Sequence, residues 1–386
     1  MELMVTTLKG LEEILAKELL NIGANDIQIH RRAVACSGDL EMLYKINFHA
    51  RTAVRVLMPI ATFNVKTADE LYEKIKEINW GKHLDETKTF SIDAVIYSEN
   101  FGHSRFTTYR AKDAIVDYFT EKSGKRPSIR LDNPDLYINV HISGTTCTIS
   151  LDSSGDSLHK RGYRASQTDA PLNEVLAAGM LLLAGWDGQC DFIDPMCGSG
   201  TLLTEAAMIA LNIPPGLYRN SFAFEKWDNF DKELFDRIYN DESNEREFNF
   251  HIYGSDNSPK AVRTAEANIK SAGLSKYITV KQYAIQQLEK PSDKGLIVTN
   301  PPYGERLQGD ELYELYEAIG ERLKHHFQGF TAWVISSERS LLSRIGLKPS
   351  KRIPLLNSSL ECEFWEFELF SGKRKEFKSF SKPQRN

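Results

Sequence analysis

Apolar residues recur at helical spacing through Leu11, Ile14, Leu15 and Leu19, which predicts an amphipathic first helix. Short alternating stretches follow. A second helix is then expected over Leu40, Leu43, Tyr44 and Ile46, with Asp39 as its cap. The strand Thr52–Met58 is expected to stop at Pro59, because proline cannot donate to a ladder. From about Val65 the pattern repeats. A helix is expected from Ala68 to Ile78, with Leu71, Ile75 and Ile78 on one face and Trp80-Gly81 closing it. A period-two strand, Phe90–Ile96, precedes a helix over Tyr109–Thr120. Two further strands, Leu136–Ile142 and Thr145–Leu151, meet at the hairpin signal Ser143-Gly144. Asp152-Ser-Ser-Gly-Asp156 reads as a boundary loop.

From about Gln167 helices and apolar strands alternate, which is the signature of a mostly parallel α/β sheet. The expected strands are Asp191–Pro195, His251–Ser255, Ile278–Tyr283, Gly295–Thr299 and Thr331–Ser336. Two antiparallel strands are expected around Asn357-Ser-Ser359, between about Arg352 and Phe370. A long insertion, residues 212–249, separates the first two strands of this set and has an acidic, aromatic body.

With 386 residues, 41% hydrophobic and 26% charged, the chain suggests two or three globular domains. No run approaches 18 apolar residues, so no membrane partner is expected, and the first ten residues do not read as a secretory signal. Five scattered cysteines (36, 147, 190, 197 and 362) form no CxxC pair. Neither a disulfide framework nor a metal site is expected, and a cytoplasmic setting fits. The net charge of −5 is unevenly spread: residues 1–165 balance, whereas Lys373–Asn386 carries six cations and one carboxylate. Phe377 and Phe380 interleave those cations, so this basic tail reads either as an RNA contact or as a solvated terminus.

The chemistry concentrates at three strand ends. Asn300-Pro301-Pro302-Tyr303-Gly304 leaves the strand Gly295–Thr299, and two prolines hold that exit rigid. An amide side chain, a proline carbonyl and an aromatic ring placed there suit a planar, amine-bearing group. An ordinary turn is the competing reading. Asp194-Pro195-Met-Cys197-Gly198-Ser-Gly200-Thr201 forms a glycine-rich turn between a strand and a helix. It lacks the lysine of a triphosphate-binding loop, and Leu203 stands where a dinucleotide fingerprint needs its third glycine. S-adenosylmethionine, whose cationic end needs acceptors, remains; Asp194 would accept from its amino group. Asp256, ending the next strand, would take both ribose hydroxyls, and Asn257 beside it is a further expected cofactor contact. These residues converge where open α/β sheets bind ligands.

Together, Asp194–Thr201, Asp256 and Asn300–Gly304 resemble the motifs of class I S-adenosylmethionine-dependent methyltransferases that act on amines. Ala170-Pro-Leu-Asn173-Glu174 and Leu158-His-Lys-Arg161-Gly-Tyr163-Arg164 are similar to further segments of the family. Asn300-Pro-Pro-Tyr-Gly-Glu305-Arg306 resembles the variant in bacterial large-subunit (23S) ribosomal RNA guanine-N2 methyltransferases. The resemblance implies a Rossmann-like methyltransferase domain over residues 170–372, a linker over 157–169, and two α+β domains before it. Those are a ferredoxin-like domain, 1–64, and a THUMP RNA-binding domain, 65–156. It implies RNA as partner and Asn173 and Ala284 as further cofactor contacts. One departure stands out: at Lys281-Gln-Tyr283-Ala284 the aspartate that many relatives direct at the adenine amine is missing. Tyr283 or a backbone group at Ala284 would have to serve.

The expected catalytic set is Asn300, Pro301, Pro302 and Tyr303. Asn300 and the Pro301 carbonyl would hold an exocyclic amine, and Tyr303 would stack on an unstacked base. Arg161, Tyr163, Arg164 and Arg306 are expected to contact RNA. A transfer RNA guanine-N2 methyltransferase, an N6-adenine DNA methylase and a non-catalytic RNA-binding factor remain as alternatives.

Overall fold

The computed structural model describes residues 1–166, 171–303 and 309–370, and its residues divide into two compact units. The first comprises Met1–Thr7, Leu15–Lys160 and Arg219–Asp241. Its elements run β1 (Glu2–Thr6), α1 (Glu12–Ile22, whose first turn groups with the second unit), β2 (Asn25–His30), β3 (Ala33–Ser37), α2 (Leu40–His49), β4 (Arg55–Asn64), α3 (Ala68–Lys76), β5 (Thr89–Tyr97), α4 (Ser104–Ser123), β6 (Ser128–Ile129), β7 (Leu136–Ser143) and β8 (Thr146–Asp152). All eight strands form one sheet in the order β2-β3-β1-β4-β8-β7-β5-β6. The expected cap is in place, the Asp39 side chain accepting from Met42 N, and Thr67 also accepts from Glu70 N at the start of α3.

Two expectations need correction. The strand expected to stop at Pro59 continues to Asn64, pairing first with β1 and then along β8. Its register shifts between Pro59 and Ala61, so a bulge accommodates the residue that cannot donate. The helix expected over Tyr109–Thr120 instead runs from Ser104 to Ser123 and stops at Gly124, which has a left-handed φ of 70°.

Much of the insertion packs in this first unit, as α7 (Lys232–Tyr239) and the loop before it. Its aromatic residues meet α2. Tyr44 stacks on Phe224 with centroids 4.4 Å apart, Phe235 lies 5.7 Å from Tyr44, and the Tyr44 hydroxyl accepts from Asp231 N at 3.0 Å. The Arg219 guanidinium donates to the carbonyls of Ser154, Asp156, Ser157 and Lys160, and so ties down the boundary loop.

The second unit holds α5 (Glu174–Leu183), β9 (Asp191–Asp194), α6 (Thr201–Ala210), β10 (Ile252–Asp256), α8 (Pro259–Ser271), β11 (Ile278–Gln282), β12 (Gly295–Thr299), α9 (Asp310–His326), β13 (Phe330–Ser336), α10 (Arg339–Arg344), β14 (Lys351–Asn357) and β15 (Leu360–Glu368). Its sheet runs β11-β10-β9-β12-β13-β15-β14. The first five strands are parallel, and β15 is antiparallel to both β13 and β14. Counted within the sheet this order is 3-2-1-4-5-7-6, a Rossmann-like doubly wound arrangement with an antiparallel last strand. The direction of winding reverses between β9 and β12, which opens a crevice at their carboxyl ends. Val298, Ile297 and Ile193 on the central strands and Leu312, Tyr316, Ile319 and Leu323 on α9 are all buried. Among the described residues no helix is long and apolar enough to cross a membrane.

Candidate active site

The apolar run of β9 ends at Asp194, and the chain then turns through Pro195–Gly200 into α6. Gly198 and Gly200 take positive φ, 52° and 79°, a region that costs other residues energy. They do different things. A Cβ at Gly198 would meet nothing within 4 Å, so its backbone faces open space, whereas one at Gly200 would lie 3.1 Å from the Ala265 Cβ on α8. The turn is strapped to β10 by Cys197 N donating to Ser255 O at 2.9 Å and by the Ser255 hydroxyl donating to Pro195 O at 3.1 Å. Burial pushes the Cys197 thiol well up, so it stays protonated.

Asp256, at the end of β10, accepts from Gly198 N at 3.0 Å through one carboxylate oxygen and from Ser258 N at 2.9 Å through the other. Two of about four acceptor positions are thereby used, and the rest remain for a ligand. Asp194 is 2% exposed. It accepts from the Thr299 hydroxyl at 2.8 Å and Met196 N at 3.3 Å. Burial, with a contribution from the Asp256 charge, still raises its pKa to about 7. This carboxyl is poised for a cation.

The cavity over these strand ends has a volume of about 620 Å³. Asp194, Pro195, Cys197, Gly198, Thr201, Asp256, Asn257, Ala284, Asn300 and Pro302 all line it, so most of the predicted set is brought together. Tyr283 lines it too, while the Ala284 N–H donates to the Gln287 side chain at 3.3 Å. The Asn300 side-chain oxygen is buried and has no hydrogen-bond partner among the described residues. An acceptor left unpaired in this way costs roughly 1–3 kcal/mol, and such sites call for an explanation.

Other predicted residues lie elsewhere. The Asn173 side chain is spent as the N-cap of α5, accepting from Val175 N and Leu176 N. Pro171 and Leu172 line the cavity in its place. Gly200 and Pro301 are outside the lining. So is Tyr303, half-buried, whose hydroxyl accepts from Asn357 Nδ2 at 2.6 Å. Arg306 falls outside the described residues, as does the basic tail.

The expectation that Arg161, Tyr163 and Arg164 contact RNA is overturned. Arg161 and Tyr163 are each 1% exposed, and both donate to Glu205, which is itself fully buried on α6. A buried carboxylate on an all-buried helix requires such partners. Arg164 instead clamps the glycine loop. Its guanidinium donates to Glu174 at 2.5 Å, Ser199 Oγ at 3.1 Å, Thr201 Oγ1 at 2.9 Å and Leu172 O at 3.0 Å. The sequence reading missed this role. The burial of Arg161 and Tyr163 did have a signal, the single glutamate Glu205 inside the apolar run Thr201–Ala210, which demands interior donors. The sequence reading also missed Ile285, Gln286, Glu311, Glu314 and Leu315 on the cavity wall, which no local pattern marks. Among the described residues no three His, Cys, Asp or Glu side chains gather as a metal site.

A family model for the RMKL-like methyltransferase domain matches residues 161–365, one for the THUMP domain matches 65–152, and one for the RlmL ferredoxin-like domain matches 2–57. A Synechocystis sp. protein described provisionally as an RNA methyltransferase is 38% identical over 95% of this chain and 96% of its own length. The ribosomal RNA large subunit methyltransferase K/L of Syntrophotalea carbinolica is 41% identical over 94% of this chain but 53% of that protein. The chain thus spans about half the length of that relative. Among solved structures, SMU.472, provisionally a methyltransferase and complexed with SAH, superposes with a TM-score of 0.86 at 29% identity, over 96% of this chain and 99% of that one. The winding of the sheet, the acidic strand ends and these matches agree: the chain belongs to the RMKL-like family of class I S-adenosylmethionine-dependent RNA methyltransferases that carry a THUMP domain.

Proposed function

We propose that the chain methylates the exocyclic N2 amine of a guanine in large-subunit (23S) ribosomal RNA, with S-adenosylmethionine as methyl donor. The observation that carries this reading is the unpaired, buried oxygen of Asn300 on the wall that also holds Asp194 and Asp256. A substrate N–H would satisfy it. The K/L relatives, named for ribosomal RNA of the large subunit, support the substrate class.

The residues fit the donor. Asp194 accepts from its amino group, Gly198 leaves room for it against the backbone, and the free lone pairs of Asp256 accept from the ribose. Pro195, Cys197, Thr201, Asn257 and Ala284 complete that wall. When bound, S-adenosylmethionine supplies an electrophilic methyl group.

The guanine amine is a weak nucleophile because its lone pair is conjugated into the ring. Asn300 Oδ1 and the Pro301 carbonyl accept its two N–H bonds, orient the lone pair and favour its rehybridisation. Neither group is a base, and the proton passes to water after transfer. Pro302 forms the adjoining wall, and Tyr303, held by Asn357, fixes the course of the motif. Arg306 would meet RNA phosphate. In domain terms we assign 1–64 to the ferredoxin-like fold, 65–156 to THUMP, 157–169 to a linker and 170–372 to the methyltransferase, with 212–249 as its insertion. Five free cysteines support a reducing, cytoplasmic setting.

The test is tritium transfer from labelled donor to total RNA of a deletion strain, followed by nucleoside analysis. N2-methylguanosine in large-subunit RNA is expected. Asn300→Ala should lose roughly a hundredfold or more in kcat while SAH affinity holds. Methylated adenine in DNA as sole product, or full activity in Asn300→Ala, overturns the assignment.

A further inference from the structure

After β11 the chain reads Tyr283-Ala-Ile-Gln286, with no carboxylate to take the adenine amine of the donor. The backbone of Ala284 is already engaged: its N–H donates to the Gln287 side chain at 3.3 Å, and its carbonyl accepts from Gln287 N at 2.9 Å. Gln286 lines the cavity but offers a donor and an acceptor alike. Two acceptor-only side chains stand on the same wall besides Asp194 and Asp256. They are Glu311 and Glu314, in the first two turns of α9. Both are exposed, and neither has an ion-pair or hydrogen-bond partner among the described residues. No lysine, arginine or histidine is among the described residues of this wall, which also carries the unpaired, buried oxygen of Asn300.

Packing brings α9 to the adenine end. With the donor's amino group at Asp194 on β9 and its ribose at Asp256 on β10, its purine falls one strand further, over the end of β11. The turn after β11 is fixed to α9. Ile285 and Leu288 share one buried cluster with Leu312, Tyr316 and Ile319, and the Arg322 guanidinium donates to the Leu288 carbonyl. Glu311, Leu315 and Arg322 are four and seven residues apart, so they follow one face of the helix, and Glu314 lies beside them. The face that Arg322 ties to Leu288 therefore carries both carboxylates and the half-buried Leu315.

We propose that α9 recognises the adenine of the donor: Glu311 and Glu314 accept from its exocyclic amine, and Leu315 covers the ring. The acceptor that the end of β11 lacks is thus supplied by another element, nearly thirty residues further along the chain. A carboxylate offers lone pairs only, so it holds an amine and repels a carbonyl oxygen at the same position. An amide such as Gln286 satisfies either and selects neither. The proposal deepens the methyltransferase reading and rests on the donor's placement over Asp194 and Asp256.

The test is calorimetric titration of the full chain with SAH and with S-inosylhomocysteine, in which a carbonyl oxygen replaces the adenine amine. The two ligands carry the same charge, so any general attraction of the acidic wall cancels in their ratio. Wild type should bind SAH roughly tenfold tighter or more, the scale of one hydrogen bond to a charged group. Glu311→Gln/Glu314→Gln should bring the two affinities together, because an amide donates to the carbonyl oxygen as readily as it accepts from the amine. Gln286→Ala should keep the wild-type ratio. The circular dichroism spectrum should be the same in all three, which separates lost recognition from a damaged fold. Equal affinities in wild type, a wild-type ratio in the double variant, or a ratio that collapses in Gln286→Ala overturns the proposal. A wrong placement of the donor would show separately, as an SAH affinity that Asp256→Asn leaves unchanged.

Discussion

If Asp194 holds the donor's amino group, as proposed, cofactor binding is a proton-release reaction. In the ligand-free chain its carboxyl has a pKa of about 7, so near neutrality it is half protonated. An acceptor for a cationic amino group must be ionised. If the bound cation restores an ordinary carboxylate pKa, SAH binding expels about 0.9 proton at pH 6, about 0.5 at pH 7 and about 0.1 at pH 8. The association constant then rises roughly tenfold from pH 6 to pH 8. Calorimetric titration in buffers of different ionisation enthalpy reads the protons directly. The same group acts on stability with a definite sign. Its folded pKa lies above its unfolded value, so its contribution is fully present below about pH 4 and is lost as pH rises through about 7. The loss amounts to roughly 4 kcal/mol in the ligand-free chain. Asp194→Asn should therefore stabilise the ligand-free chain at pH 8 while binding SAH weakly and without proton release. Binding that is independent of pH between 5.5 and 8, or proton release that survives in Asp194→Asn, refutes the assignment.

Arg164→Lys keeps a cation beside Glu174 but cannot reach Ser199, Thr201 and the Leu172 carbonyl together. SAH affinity should fall about tenfold while the urea midpoint moves by less than about 1 kcal/mol in equivalent stability; an unchanged affinity would remove the loop-clamp role. Glu205→Gln removes the carboxylate that Arg161 and Tyr163 share and should cost about 3–5 kcal/mol of stability. Urea unfolding followed by tryptophan fluorescence checks it, and a cost under about 1 kcal/mol would show that the cluster relaxes without it.

What the sequence disclosed was local. The glycine turn, the acidic strand ends and the proline exit from β12 each lie within a few residues, and their shared position follows from strand order alone. Ser258 capping α8, with Pro259 in its first turn, is equally local. The errors came from distance in the chain. Arg161 and Tyr163 read as a basic surface because the carboxylate they share, Glu205, lies about forty residues further along the chain. Pro59 read as a stop because nothing nearby announces β8, which supplies the partner strand for the second half of β4. Asn173 read as a ligand because a cap and a contact have the same residue preferences.

The aromatic residues of Arg219–Asp241 bear on how this protein can be made. Tyr44 and Phe48 emerge from the ribosome early, yet Phe224 and Phe235, which cover them, come some 180 residues later. Translation at about 5–20 residues per second leaves that apolar surface bare for roughly 10–35 s. During this interval the chain is a client for whatever shields nascent aromatic surface. A gene fragment cut at Lys160 should stay in that state permanently and aggregate, even though the eight-stranded sheet is encoded in full.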